Sequence, residues 1–83
     1  MKLKLFTQPT CPKCPAAKDV VKKVEHKVKV EQYDIKTEDG LAEALGYDIM
    51  ATPSIVIIDQ EDNVLAEWKS VVPSLDELND VLK

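Results

Sequence analysis

Hydrophobic residues in the first part of the chain follow two different periods. In the stretch KLKLF at residues 2–6 they alternate with lysines, which predicts a β-strand with one apolar face. From Pro12 to about Lys27 they recur at helical spacing instead. The stretch VKVEQYDI at residues 28–35 is rich in β-forming residues and predicts a second strand. A strand, a helix and a strand in this order predict two parallel strands joined by a right-handed crossover.

The middle of the chain combines a short helical pattern with two further strands. The stretch TEDGLAEALGY predicts a helix that Thr37 caps and Gly46 closes. The stretch PSIVIID at residues 53–59 is apolar on both faces, which predicts a central strand. After the turn QEDN, the stretch VLAEW at residues 64–68 predicts an antiparallel partner for that strand.

The C-terminal stretch begins with a capping-box pattern, in which Ser74 is followed three residues later by Glu77. The pattern predicts a last helix, whose apolar positions are Leu75, Leu78 and Leu82. The predicted order of elements is therefore βαβ, then α, then ββα, which is an α/β arrangement. A chain of 83 residues has room for one domain, which we expect to span residues 1–83.

Composition and charge exclude two classes of partner. The formal net charge of −4 argues against nucleic acid, because binding to a phosphate backbone needs a basic surface. No apolar run approaches the roughly 20 residues that a membrane span requires, so we expect no membrane partner. The N-terminal stretch MKLKLF lacks the apolar centre of a signal peptide. We therefore expect a cytoplasmic protein, and we expect it to be a monomer.

Two cysteines, Cys11 and Cys14, lie three positions apart in the stretch TQPTCPKCPAAK. A permanent structural disulfide is disfavoured, because the cytoplasm is reducing and so short a loop constrains the unfolded chain little. A CxxC pair can also bind soft metal ions or bridge a cluster. A closed zinc site would need two more ligands, and the single histidine, His26, cannot supply both. A redox couple and a metal- or cluster-binding module remain as alternatives. If the pair is a redox couple, we predict that the protein has no metal ligands.

The position of the cysteines favours redox chemistry. Cys11 lies where the first strand leads into the first helix, and Pro12 suits the first helical position. Unpaired backbone N–H groups and the positive end of the helix dipole favour a thiolate there, and the charge of Lys13 adds to them. These effects predict a lowered pKa for Cys11. Cys14 is one turn further along, so it is placed to resolve a mixed disulfide that Cys11 forms with a substrate.

The chain resembles the thioredoxin-like redoxins, through its element order, the motif CPKC after the first strand and the stretch YDIMATPSIVII about forty residues later. The resemblance is greatest to the small glutaredoxin-like or thioredoxin-like proteins of archaea and other anaerobes. It implies a thioredoxin-like fold, with a four-stranded mixed sheet of order 2-1-3-4 and helices on both faces. It also implies a dithiol–disulfide oxidoreductase that reduces protein disulfides without a cofactor. Its upstream reductase would be a flavoprotein or a ferredoxin-dependent thioredoxin reductase.

The resemblance assigns roles to residues outside the cysteine pair. The proline that matches Pro53 is cis in this family and faces the CxxC motif. The backbone of the residue that matches Thr52 pairs with the substrate polypeptide. Thr10, Pro12 and Lys13 surround the cysteines, and the resemblance implies that they support substrate binding.

Three departures from the family pattern concern mechanism. Thr10 stands where thioredoxins usually have Trp, and Pro12 and Lys13 stand where they have Gly and Pro. Leu5, six residues before Cys11, occupies the position of the buried Asp that thioredoxins use as a proton relay. The stretch DQEDNVLAEW lacks the glycine-rich segment with which glutaredoxins hold glutathione. We therefore expect the protein to reduce protein disulfides better than glutathione mixed disulfides.

Three other polar or aromatic residues have ordinary structural interpretations. Lys18 and His26 lie on the polar side of the first predicted helix, where we expect solvated side chains. Trp68 lies on a strand and is expected to pack against the core or an edge, rather than to contact substrate.

Overall fold

The computed structural model of the chain describes residues 1–82. These residues form a sheet and the helices that cover it. The elements are β1 (Lys2–Thr7), α1 (Cys14–Lys22), β2 (Lys29–Asp34), α2 (Glu38–Gly46), β3 (Ser54–Ile58), β4 (Val64–Lys69) and α3 (Leu75–Leu82). The order of elements is the one that the sequence pattern predicts. No helix in the described part of the chain is long and apolar enough to cross a membrane.

The sheet has the strand order β2-β1-β3-β4. Strands β1 and β2 are parallel, whereas β3 is antiparallel to both β1 and β4. All five residues of β3 are buried, as expected for a central strand whose sequence is apolar on both faces. The predicted mixed sheet of order 2-1-3-4 is confirmed.

Helices cover both faces of the sheet, which is also confirmed. Alternation in β1 sends Leu3 and Leu5 to the face that carries α1 and α3, and sends Phe6 to the face that carries α2. The first face has a buried aliphatic core: Leu3, Leu5, Ala17, Val21, Val24, Val28, Ile55, Ile57, Leu78 and Leu82. The second has a smaller buried core: Phe6, Ala44, Ile49, Val56 and Ile58.

Helix α1 is shorter than its apolar pattern predicts at both ends. It begins at Cys14 with Lys13 as its N-cap residue, so the expectation that Pro12 is the first helical residue was wrong. The first α-helical hydrogen bond at this end runs from Ala17 N to Lys13 O, at 3.2 Å. After residue 22 the chain continues to residue 27 in tighter turns with i to i−3 hydrogen bonds. These turns keep Val24 buried without extending the regular helix, which is why hydrophobic spacing overstated its length.

The predicted caps are confirmed, with one exception. The Thr37 hydroxyl accepts a hydrogen bond from Gly40 N at 3.0 Å at the start of α2. A side chain at Gly40 would collide with the Asp34 carbonyl, so the glycine allows α2 to approach the end of β2 closely. Gly46 does not take the left-handed conformation that would close the helix. Asp48 takes it instead, with φ 57°, two residues further on.

The capping box at α3 is reciprocal. Ser74 Oγ accepts from Glu77 N at 3.1 Å, and Glu77 Oε1 accepts from Ser74 N at 3.4 Å. The second carboxylate oxygen of Glu77 accepts from the indole N–H of Trp68 at 2.9 Å. Trp68 also packs against the aliphatic core, as its sequence context predicts. One acidic residue therefore caps α3 and ties that helix to β4.

Candidate active site

Cys11 and Cys14 form a disulfide between the end of β1 and the start of α1, with their Cα atoms 5.3 Å apart. A hydrogen bond from Cys14 N to Cys11 O, at 3.4 Å, closes the turn that brings them together. The two residues differ in access to solvent. Cys14 is 3% exposed and lies against the core, whereas Cys11 is only half-buried. A large substrate can therefore reach Cys11 more readily than Cys14.

The start of α1 gives the cysteine pair a positive surrounding. Lys13 is exposed at the N-cap position, and its side chain makes no capping hydrogen bond. The first turn of α1 carries no acidic residue, and Pro15 in that turn has no N–H group. Cys14 N and Ala17 N at this end donate to Cys11 O and Lys13 O, so the positive end of the helix dipole is the main feature that favours a negative charge on a nearby sulfur. The role that the sequence predicts for this arrangement at Cys11 stays a prediction, and the helix starts two residues later than predicted.

The peptide bond between Thr52 and Pro53 is cis, as the family resemblance implied. Pro53 is fully buried and directly precedes β3. Since Ser54 pairs with Phe6 near the end of β1, Pro53 lies at the same edge of the sheet as the cysteine turn. Thr52 is half-buried, and its hydroxyl oxygen has no hydrogen-bond partner among the described residues. A contact between Pro53 and the sulfurs remains a prediction.

Sequence interpretation missed Ser54, a fully buried residue that joins two loops at this edge. Its hydroxyl donates to Ala51 O at 2.8 Å and accepts from Ser70 N at 3.3 Å. The segment before the cis bond is thereby tied to the end of β4. Ser54 lies between a proline and an apolar strand in the sequence, and this context does not predict its hydrogen bonds.

A groove of about 320 Å³ opens beside the disulfide, over the ends of β1 and β2. Both cysteines line it, together with the charged side chains of Lys18 and Asp34 and the amide of Gln32. Gln32 Nε2 and Thr7 Oγ1 are 3.5 Å apart across its wall. The groove residues on β2 were not predicted as site residues. The signal that could have found them is the parallel pairing of β1 and β2, because ligands bind outside the carboxyl ends of parallel strands.

The remaining predicted site residues lie around the pair. Thr10 and Pro12 are exposed on the turn that carries Cys11. Leu5 is 1% exposed and pairs with Gln32 across β1 and β2, so an apolar side chain occupies the position at which thioredoxins have their buried Asp. Within residues 1–82, no group of three or more His, Cys, Asp or Glu side chains could hold a metal ion. The structure offers nothing that favours the metal-binding alternative.

Comparisons with known proteins agree with this geometry. The family profile described as "Thioredoxin domain" matches residues 1–83. A probable thioredoxin of Archaeoglobus fulgidus is 47% identical over 60 residues, which are 70% of this chain and 66% of that protein. A thioredoxin of Methanocaldococcus jannaschii is 46% identical over 59 residues, which are 69% of each chain. Thioredoxin 1 of Thermosipho africanus superposes with a TM-score of 0.81 at 15% identity, covering 99% of this chain and 90% of its own.

Proposed function

We propose a reaction sequence for this chain, which belongs to the thioredoxin family and is a dithiol–disulfide oxidoreductase. In this sequence Cys11 attacks the disulfide of a substrate protein and Cys14 resolves the mixed disulfide. The observation that carries the assignment is the unequal exposure of the pair, since Cys11 is half-buried and Cys14 is 3% exposed. The disulfide of a protein substrate can reach the Cys11 sulfur more readily than the Cys14 sulfur.

The reaction consists of two thiol–disulfide exchanges. The Cys11 thiolate attacks one substrate sulfur, the substrate S–S bond breaks, and the first substrate thiolate leaves and takes up a proton. Cys14 then loses its proton and attacks the Cys11 sulfur, which breaks the mixed disulfide and releases the second substrate thiolate. Two electrons have passed from the protein dithiol to the substrate. The protein is left with the Cys11–Cys14 disulfide that the structure contains.

The start of α1 supports the first step. The exposed Lys13 side chain and the positive end of the α1 dipole favour the thiolate of Cys11 over its thiol. Cys14 is 3% exposed, and burial disfavours a charged sulfur there until the mixed disulfide has formed. The two sulfurs thus react in a fixed order.

We assign substrate docking to the surface around the pair. Thr10, Pro12 and Lys13 are exposed on the turn that carries Cys11 and are placed to contact an incoming chain. Thr52 and Pro53 lie at the same sheet edge, on the β3 side of β1. An extended substrate segment would pair with the backbone of Thr52, in the manner of strand addition at one residue.

Membership of the thioredoxin family gives the protein disulfide-containing substrates and a reductase partner. We propose that the substrates are proteins and that the reductase is a flavoprotein or a ferredoxin-dependent thioredoxin reductase. We also propose that the protein acts as a monomer in the cytoplasm. A reducing compartment supports this proposal, because it lets the pair cycle between dithiol and disulfide instead of remaining oxidised.

The test is reduction of insulin by dithiothreitol with the protein as catalyst. We expect catalysis by the unaltered chain and none by Cys11→Ser. The variant Cys14→Ser should lack turnover and should accumulate a mixed disulfide with the substrate through Cys11. Mixed disulfides that form through Cys14 in Cys11→Ser, but not through Cys11, would overturn the assignment of roles. The hydroxyethyl-disulfide assay with glutathione should show much weaker turnover than insulin.

A further inference from the structure

We propose that the groove beside the disulfide binds small disulfides that carry both an ammonium and a carboxylate group. These are amino-acid disulfides, of which cystine is the simplest. The juxtaposition that carries the proposal is that of both cysteines with one basic and one acidic side chain, Lys18 and Asp34, around one cavity. The proposal rests on the function proposed above, because the same two sulfurs perform the chemistry.

The groove has the place and the size of a small-molecule site. Strands β1 and β2 run parallel and end together, with Thr7 paired to Asp34, so the groove lies outside their carboxyl ends. Its volume of about 320 Å³ lies near the lower end of the range for ligand pockets. That volume suits one half of an amino-acid disulfide, with its sulfur directed at the cysteine pair.

The two charges in the groove are available to a ligand. Lys18 projects from α1 and forms no ion pair with any residue that the structure describes. Asp34 is half-buried, and its Oδ1 atom accepts from Lys36 N at 2.8 Å. The Oδ2 atom of Asp34 has no hydrogen-bond partner among the described residues, so it can accept from a ligand ammonium group. The Lys18 ammonium group can take a ligand carboxylate in turn.

The groove and the Thr52–Pro53 part of the proposed docking surface lie on opposite sides of β1. The groove lies over β1 and β2, whereas Thr52 and Pro53 precede β3, and the strand order is β2-β1-β3-β4. Neither Thr52 nor Pro53 lines the groove. A small disulfide can therefore reach the sulfurs from one side and a protein from the other, so changes in the groove should affect the small substrate selectively.

The reaction in the groove balances in the same way as with a protein. A Cys11 thiolate attacks one sulfur of the small disulfide and the first amino-acid thiolate leaves with a proton from solvent. Cys14 gives up its proton and displaces the second thiolate from Cys11. One protein dithiol and one small disulfide yield one protein disulfide and two small thiols.

The experiment measures oxidation of the fully reduced protein by four small disulfides at neutral pH, with loss of protein thiols as the signal. Cystine carries both charges, cystamine only ammonium groups, dithiodipropionate only carboxylates, and hydroxyethyl disulfide none. Each rate constant is divided by the rate of the same disulfide with dithiothreitol, which removes differences in intrinsic reactivity. We expect cystine to have the highest corrected rate, by roughly tenfold over hydroxyethyl disulfide, if each exposed charge contact contributes about threefold.

Two substitutions should each slow the reaction of a different set of disulfides. Lys18→Gln should lower the corrected rates of dithiodipropionate and cystine by about threefold to fivefold and leave cystamine unchanged. Asp34→Asn should lower those of cystamine and cystine by a similar factor and leave dithiodipropionate unchanged. Matched controls are Lys23→Gln, at the far end of α1, and Asp48→Asn, at a left-handed position that Asn also tolerates. Both controls should leave all four rates unchanged.

The outcomes separate this proposal from the proposed function. Equal corrected rates for the four disulfides, together with normal insulin reduction, would overturn the groove proposal and leave the proposed function standing. A change of all four rates by the same factor in Lys18→Gln or Asp34→Asn would also overturn it, because the side chain would then act on the sulfurs and not on ligand charge. Failure of the unaltered protein to reduce insulin would instead overturn the proposed function.

Discussion

The two faces of the sheet are held by different chemistry. The face under α1 and α3 has an entirely aliphatic buried core. The face under α2 includes Phe6, which stacks on Tyr33 with ring centroids 5.5 Å apart. It also carries Lys4, whose ammonium group lies 2.7 Å from Glu43 Oε1 and 5.2 Å from the centre of the Tyr47 ring. The buried core of one face is therefore purely apolar, with polar contacts such as Trp68–Glu77 only at its margin, whereas the other face also uses a partly buried charge.

The difference shows what positions the cysteines. Cys14 begins α1, and Ala17 and Val21 anchor that helix to the aliphatic core. Among residues 1–82, no side-chain hydrogen bond or ion pair joins α1 to the sheet in the way that Glu43 on α2 meets Lys4 on β1. The location of the buried sulfur thus depends on close packing, which is sensitive to the loss of even one large side chain. The following variants test the contrast, starting with the largest expected effect.

Leu78→Ala should weaken the aliphatic face most. Leu78 on α3 is 0% exposed, and its truncation should lower the free energy of unfolding by about 2–5 kcal/mol, through lost burial and the cavity it leaves. Chemical denaturation measures the change. The control is Leu45→Ala on α2, where the side chain is 53% exposed and the expected loss is within about 0.5 kcal/mol. Similar losses in both variants would contradict the assignment of the main core to this face.

Lys4→Met should weaken the α2 face by a smaller amount. Burial lowers the pKa of Lys4, but hydrogen bonding to Glu43 and Tyr47 outweighs it and raises the pKa above its ordinary value. A raised lysine pKa contributes stability that is fully present below the unfolded pKa of about 10.4 and is lost as the pH rises through the folded pKa.

At neutral pH the Lys4→Met variant should therefore lose about 1–2 kcal/mol of unfolding free energy, since methionine keeps the packing of the side-chain stem but not the charged hydrogen bond. The control is Lys2→Met on the same strand. Its ion pair with Glu31 spans 3.8 Å between partly solvated groups and should contribute little. Equal losses in the two variants would show that the partly buried charge does not support this face.

Thr52→Val tests a buried polar group that has no hydrogen-bond partner in the described chain, in contrast to Lys4, which has partners. The Thr52 hydroxyl oxygen is buried and unpaired among the described residues, so its replacement by a methyl group should raise the free energy of unfolding by about 1 kcal/mol. Insulin reduction should persist, because the proposed substrate contact uses only the backbone of Thr52. A destabilised variant would mean that the hydroxyl has a partner in solution.

The smallest effect should come from Glu77→Gln at the margin of the aliphatic face. The hydrogen bond from Trp68 and the backbone N–H of Ser74 hold the pKa of Glu77 below its ordinary value. A lowered carboxyl pKa gives stability that is present above the unfolded pKa of about 4.3 and is lost as the pH falls through the folded pKa. The unfolding free energies of the two proteins should therefore converge in acid. The fluorescence of Trp68, the one tryptophan in the chain, can follow the unfolding transition. A difference in unfolding free energy that persists in acid would contradict a stabilising role for the Glu77 charge.

Hydrophobic periodicity was sufficient to predict the order of elements, because alternation in β1 and helical spacing in α1 are local properties of the sequence. The caps at Thr37 and Ser74 were predictable for the same reason. The start of α1 was not, because a helix-compatible proline at residue 12 does not determine where the first helical hydrogen bond forms.

Contacts between distant residues were the part that sequence could not supply. The alternating pattern of β1 placed Lys4 on the face opposite Leu3 and Leu5, and only the docking of α2 brings Glu43 to it across the chain. The groove has the same origin, because Asp34 and the cysteines line one cavity only when β2 pairs with β1. The cysteines themselves were predictable, since their spacing and their place after a strand are local features.

The most direct test of the account is the alkylation rate of each cysteine in the reduced single-cysteine variants at neutral pH. Cys14→Ser leaves Cys11, which is half-buried beside the positive start of α1, and Cys11→Ser leaves Cys14, which is 3% exposed. The account predicts that iodoacetamide reacts at least about tenfold faster with Cys11, because thiolate character and access both favour it. Faster reaction of Cys14 would contradict the central claim that Cys11 attacks and Cys14 resolves.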